Sequence, residues 1–500
     1  VQRAWKFTRR WLYIVHRWVG IGSAVLFAMW FATGLVMMYV PYPSLTDRER
    51  LTGLDPIDWA QVRVTPDQAL QAAGLSAWPQ RFKLEMMVGE PVYRINAKER
   101  ITVSARDGHR ITGVDAAQAE KIARRFARHP GPETADTIER DQWTVAGGYN
   151  AHRPLHKVSL ADAKGTSLYV SSKTGEVVLD ATRFERVWNW LGTVPHWIYF
   201  TEIRKDNSFW RQVILWTSGF GIVGAITGIW IGILRLRVKR RYAEGKMSPY
   251  KGWMKWHHVG GLVTGLTVTT WIVSGWLSVN PNKWFARSSP DDAAVVRYAG
   301  NDAARFPFDP AMARISPGAR EARFVWVAGR PEVILSDANL SRVVLDGRTG
   351  EPLQLDQGAL FDNARKLMPG AAMTLRKRLV EEDVYWYAHH AEPRLPMLRA
   401  GFEDPVATWV HIDPVTGEML GTMNQSDRTE RWAFNFLHDF DLPVLLHSRP
   451  SWDILVWLLS IGGLVTSVTS VVIGWRRLKR KGQEIEGWRR RRRRKLAPAE

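Results

Sequence analysis

Four of the thirteen histidines in this 500-residue chain are spaced in a way that could do chemistry. His16 and His257 lie 241 residues apart, and Gly20 and Gly261, four residues after each, keep the same interval. So do Trp30 and Trp271, and Gly34 and Gly275. His196 and His438 form a second pair, 242 residues apart, each 14 residues before a tryptophan (Trp210, Trp452) that opens an apolar run. Imidazole binds iron, copper and zinc. The chain has no cysteine, which excludes disulfides, thiolate sites, iron–sulfur clusters and covalently attached c-type haem.

A histidine with a glycine one turn away on the same helix face can hold the iron of a flat macrocycle and let the ring lie close. His16 and His257, with Gly20 and Gly261 as the small neighbours, are candidates for two axial imidazoles on one iron. His258 can substitute for His257 but lacks the matching register. His196 and His438 can clamp a second macrocycle at the opposite membrane face, each following an aromatic amphipathic stretch suited to the interface. The ordinary role of a lone histidine at a membrane-helix end is an interfacial side chain; repetition in register argues for more. His152 and His156 have i, i+4 spacing, but Pro154 between them argues against a helical metal pair. His109, His129, His389, His390, His411 and His447 have no histidine counterpart and read as surface or structural residues.

Four apolar runs must position the pairs: residues 11–40, 210–234, 253–278 and 452–475. The net charge of +20 is concentrated beside them. Basic residues gather at 9–17, in the loop 235–252 and in the tail 476–500, which puts both termini and that loop in the cytoplasm by the positive-inside rule. The six-arginine run 489–494 reads as a tail against anionic lipid, and nucleic acid is not expected. The first run follows basic residues as a signal peptide would, but its length and its later twin mark it as an anchor. Gly219, Gly221 and Gly224 match the dinucleotide fingerprint formally, yet they sit inside an apolar run with no strand before them. Gly224, Gly228 and Gly232 instead make a stripe of small residues for helix packing, echoed 242 residues on by Thr466, Ser470 and Gly474.

The two long intervening segments, 41–209 and 279–451, are mixed in composition. Thr65 and Pro66 start a helix; 81–87, 92–95 and 101–105 read as strands, 115–128 as a helix, and 167–170 with 177–179 as a strand pair. Strands at 323–327, 332–335 and 342–345 and a helix at 357–366 echo the set, and the TGE of 174–176 returns at 416–418. The expected fold is an α-helical membrane protein with α+β extracytoplasmic domains: four transmembrane helices in two tandem repeats, each enclosing one domain.

Particular motifs resemble a known family, the bacterial PepSY-associated transmembrane proteins. They are HRWVG at 16–20, RPLHKV at 153–158, SLYVSSKTGEVV at 167–178, WNWLGTVPHWIYF at 188–200, WHHVG at 256–260, WIVSGWLS at 271–278 and FLHDFDLP at 436–443. His156 departs from the aromatic residue expected in the second of these. The resemblance implies a multi-pass protein of the bacterial inner membrane with two periplasmic PepSY-like domains. It further implies an oxidoreductase with two b-type haems, one on His16 and His257 and one on His196 and His438, that reduces a periplasmic ferric siderophore. The pairing itself is inferred from membrane depth. With no nucleotide-binding fold in view, electrons would come from a quinol or a separate cytoplasmic reductase. A non-enzymatic regulator whose PepSY-like domains bind a peptidase or envelope partner is the alternative. A metal transporter is disfavoured because it calls for ionisable residues in mid-span, and the four runs show essentially none there.

Overall fold

The computed structural model describes residues 2–129, 133–286, 290–315, 318–388 and 393–496, so His389 and His390 lie outside the described residues. Contacts divide the chain into two units, one made of Val1–Pro41, Trp188–Phe285 and Thr429–Glu500, the other of Tyr42–Val187 and Ala286–Arg428.

In the first unit the apolar runs are helices, as their composition dictates: Gln2–Met37, Asn207–Arg235, Trp253–Ser278 and Ser451–Leu496. All four are long and apolar enough to cross a membrane. The second starts where Asp206 caps it, its carboxylate accepting from the amides of Ser208 and Phe209 at 2.8 and 3.0 Å. Two helices outrun the expected spans. The first begins at Gln2, and the fourth continues through the expected tail to Leu496, because the added Arg, Lys, Gln and Glu are good helix formers. The helices pack around a square, each against the next in chain order and the fourth against the first, so the first and third face each other across a diagonal.

Among the described residues, the second unit contains fifteen short strands in three antiparallel sheets. In chain order, β1 (Arg81–Met87), β2 (Glu90–Asn96), β3 (Arg100–Ser104) and β4 (Arg110–Ile111) come first. Next are β5 (Glu133–Ile138), β6 (Leu155–Leu160), β7 (Ser167–Ser171) and β8 (Val177–Ala181). The later segment supplies β9 (Glu321–Val327), β10 (Arg330–Ser336) and β11 (Arg342–Asp346), then β12 (Met373–Leu379), β13 (Met397–Phe402), β14 (Trp409–Ile412) and β15 (Met419–Met423). β5 to β8 form one four-stranded sheet and β12 to β15 another, in the same order.

The remaining strands do not make two separate domains. β1 pairs with β9, joining both segments in one sheet of order β11-β10-β9-β1-β2-β3-β4. Its register puts Lys83 opposite Arg323 and Glu85 opposite Glu321, so like edges meet about a local two-fold axis. Phe82 and Phe324, with ring centres 4.8 Å apart, share a core with Tyr93, Phe306 and Leu345. The two TGE motifs supply the counter-charges at the axis: Glu176 lies 3.3 Å from Lys83, and Glu418 lies 2.6 Å from Arg323. A bare strand edge in each segment is thereby covered by the other.

One buried carboxyl in this sheet makes stability depend on pH. Burial pushes Glu332 up to about 8, opposed by Arg330 and reinforced by Asp346 and Glu418. Its Oε2 has no hydrogen-bond partner among the described residues. An unfolded Glu loses its proton near about 4.3, so from there up to about 8 the folded chain holds the extra proton, and stability falls as pH rises. The melting temperature of a Glu332→Gln variant is expected to fall less than that of the parent between pH 5 and pH 9, as read by calorimetry.

Candidate functional site

The diagonal geometry of the helices brings the histidines together in two pairs. His16 on the first helix faces His257 on the third with ring centres 6.2 Å apart and planes 30° apart. At the other end of the bundle His196 faces His438, again with centres 6.2 Å apart, here at 76°. His196 lies against Gly34 of the first helix and His438 against Gly275 of the third, so 18 residues, about 27 Å of helix, separate the two levels.

The rings are held by their Nδ1 atoms. That of His16 is 3.1 Å from the Gly224 carbonyl oxygen and 3.4 Å from Thr227 Oγ1. That of His257 is 3.3 Å from the Thr466 carbonyl oxygen, 3.1 Å from Ser470 Oγ and 3.4 Å from Thr469 Oγ1. Nδ1 of His196 is 3.0 Å from Thr33 Oγ1, and that of His438 is 3.0 Å from Ser274 Oγ. These hydroxyls already donate, Thr33 to the Met29 carbonyl and Ser274 to that of Trp271, so toward the imidazoles they accept. A carbonyl oxygen can only accept. Nδ1 therefore carries the proton on all four rings, and Nε2 is left with the lone pair a metal needs.

The spacing also has a chemical meaning. With a metal–imidazole bond of about 2 Å and each ring nitrogen about 1.1 Å from its ring centre, two imidazoles on opposite sides of one metal have centres about 6.2 Å apart. Among the described residues no three His, Cys, Asp or Glu side chains gather as a metal site. Two imidazoles alone under-coordinate a bare ion but complete a ring that brings its own four nitrogens. The residues present fit a bis-histidine haem at each level.

Local sequence explains why each ring can sit there. A Cβ on Gly228 would stand 2.7 Å from His16 Cε1, so only glycine lets that ring lie against the second helix. The equivalent residue on the fourth helix is Ser470, which bonds to His257 instead. A Cβ on Gly20 would meet nothing within 4 Å, an open flank of the sort a flat ring requires; on Gly261 it would make ordinary contact with Thr466 at 3.9 Å. Trp210 and Trp452 hold the loops that carry the outer pair, donating to the carbonyls of Trp197 and Asp439, the residues just after each histidine. Asn189 fixes the first of these regions through the Pro41 carbonyl at 2.9 Å, and Arg431 the second through that of Asp441 at 2.8 Å.

No family model matches the chain, and no curated protein is similar to it.

His258 is removed from candidacy. Its Nδ1 is 2.9 Å from Ser248 Oγ and its Nε2 is 3.0 Å from the Gly232 carbonyl oxygen, so both nitrogens are engaged away from His16. In the second unit, His156 is a buried strand residue on β6, bonded to the Val114 carbonyl oxygen at 2.7 Å. His411 packs against Trp386 at a tilt and accepts from Arg399 Nε at 3.0 Å. Thr33, Ser274 and Phe31, whose ring centre lies 5.6 Å from that of Trp271 between the two levels, are not signalled by the motifs, and Gly228 reads there only as a helix-packing residue. Thr33 and Ser274 also lie 241 residues apart, and that interval was the signal that could have found them.

Because the chain has no cysteine, these distances can be tested on a clean background. The double variants His16→Cys/His257→Cys and His196→Cys/His438→Cys are expected to be bridged by a short bis-maleimide. His16→Cys/His196→Cys, at the two different levels, is expected to stay unbridged. Fragment masses after proteolysis give the readout.

Proposed function

We propose that this chain is a di-haem electron-transfer protein of the bacterial cytoplasmic membrane, built by duplication of one unit and reducing a ferric substrate, such as an iron(III) siderophore, on the outer side. The observation that carries the reading is the pair of facing imidazoles at each end of the bundle, 6.2 Å between centres in both cases. His16 and His257 would hold one b-type haem and His196 and His438 the other. Each group would supply an iron that alternates between the ferric and ferrous states, one electron at a time. The protein's part is to fix the imidazoles through Nδ1, which sets ligand orientation and strengthens their basicity. Held by His16 and His257, or by His196 and His438, each group would have no site left open for oxygen. Levels about 27 Å apart divide a hydrocarbon layer about 30 Å thick between them.

The basic ends of the bundle face the cytoplasm by the positive-inside rule, which leaves the His196–His438 level and the β-rich unit on the periplasmic side. The resemblance to PepSY-associated transmembrane proteins supports the same orientation and the siderophore as substrate class. Iron(III) is held by such carriers far more tightly than iron(II), so reduction outside the membrane would release the metal without destroying the carrier.

The purified protein is expected to carry about two haems per chain, with sharp α and Soret bands on reduction. His16→Ala or His257→Ala is expected to remove about half of the haem, and combining the two to remove no more, since they share one centre. His16→Ala with His196→Ala is expected to give colourless protein. A parent protein that takes up no haem would leave only the reading of a membrane-anchored regulator that binds a peptidase or envelope partner.

A further inference from the structure

The electron-transfer reading leaves open what reaches the His16–His257 level. Three segments surround that end of the bundle: the start of the first helix, the loop 236–252 and the extension of the fourth helix beyond Trp475. Arginine and lysine dominate all three, and the only acids in residues 2–15, 236–252 and 476–491 are Glu244, Glu484 and Glu486. Their basic side chains are exposed, from Arg3 to Arg10 on the first helix and from Arg476 to Arg491 on the fourth.

The helix geometry separates these charges by height. Residues 452–475 are enough to cross the hydrocarbon layer and its near headgroups, about 36 Å of helix. Arg476 to Lys481 follow at once and lie within reach of lipid. Arg489, Arg490 and Arg491 do not, because the helix continues unbroken to Leu496. They stand 14 or more residues past Trp475, about 21 Å farther along the axis. Attraction to an anionic surface fades within a Debye length of about 8 Å. A tail serving only as a lipid anchor, as the sequence suggests, would place its densest arginine run where lipid charge acts weakly. A soluble partner meets that run directly.

We propose that the fourth-helix extension, with the basic start of the first helix and the basic loop, is a docking surface for a soluble acidic one-electron carrier protein that serves the His16–His257 centre. The inference rests on the electron-transfer reading above. Charge complementarity selects the partner: a basic platform exposed to solvent steers an acidic protein toward itself and orients it. Among the described residues of the first unit, this end consists only of helix ends and one loop, with no fold that could bind a nucleotide reductant, so these residues supply no electrons themselves.

The test uses the full chain in nanodiscs of purely zwitterionic lipid, with and without haem, titrated with a fluorescently labelled flavodoxin as the acidic carrier. Saturable binding is expected, weakening about tenfold or more between 50 and 300 mM salt and in the triple variant Arg489→Gln/Arg490→Gln/Arg491→Gln. A variant Arg476→Gln/Arg477→Gln is expected to lose affinity for phosphatidylserine vesicles instead. Carrier binding that is absent, or unchanged in the triple variant, overturns the proposal. So does a triple variant whose only defect is in binding phosphatidylserine vesicles or duplex DNA. Haem content is read separately from the visible spectrum. A parent chain that retains both haems but binds no carrier sinks this inference alone, whereas intact binding by a parent chain that takes up no haem sinks the electron-transfer reading and leaves the surface standing.

Discussion

The structure of the first unit depends on one requirement: imidazoles from diagonally opposed helices, His16 of the first and His257 of the third, must meet across the interior. A square of four helices meets it, because the diagonal members face each other across a shared interior. The rings then need polar partners at Nδ1 inside an apolar layer, where an unsatisfied polar group is costly. Threonine and serine provide these at no expense to the helix. Their hydroxyls donate back one turn, as Thr33 does to Met29, Thr227 to Val223 and Ser470 to Thr466, and still accept from a histidine. The stripe of small residues on the second and fourth helices has the same purpose. It is where the ring edges and the exposed carbonyls of Gly224 and Thr466 come together.

The two halves of the bundle match closely but not everywhere: Gly228 faces His16 where Ser470 bonds to His257, and further mismatches lie near the outer pair. Trp30 donates its indole hydrogen to the His196 carbonyl at 2.9 Å. Its counterpart Trp271 makes no such bond: its buried Nε1 has no partner among the described residues, and its ring packs on Phe31 and Phe440. A turn of π-helix, Arg431–Phe436, leads into His438, and turns of this kind often mark functional positions. Where the first half uses the neutral Asn189, the second uses the buried ion pair of Arg431 and Asp441. The surroundings of the two outer histidines therefore differ in charge and in ring packing, although the histidines themselves are equivalent.

Much of this was legible in the sequence because it rests on interval and period. The four long helices follow from apolar runs, and the membership of both histidine pairs follows from intervals of 241 and 242 residues. β1 and the helix Pro66–Ala72 were readable from alternation and capping. What was hidden depends on partners distant in the chain. β12, MTLRKRL, reads as polar because most of it lies exposed at a sheet edge. β5 and β6 are likewise fixed by mutual pairing more than by their own composition. Nothing in either segment announces that β1 will pair with β9, since a strand edge carries no label for its neighbour. The identity of the Nδ1 partners was equally hidden, because Thr33 and Ser274 resemble any small polar residue in a membrane helix until a ring is placed beside them.

That β1–β9 seam has a consequence for biosynthesis. The edge of β1 is finished only by a strand whose residues lie 240 positions later in the chain. At about 5–20 residues per second, the ribosome needs roughly 12–48 s to deliver it. Throughout that interval the first segment waits with an open, partly apolar edge, while two further helices are still being threaded into the bilayer. Nascent chains of this protein are thus dependent on whatever shields such edges while synthesis continues, and a truncated product ending before residue 321 would keep its adhesive strand for good.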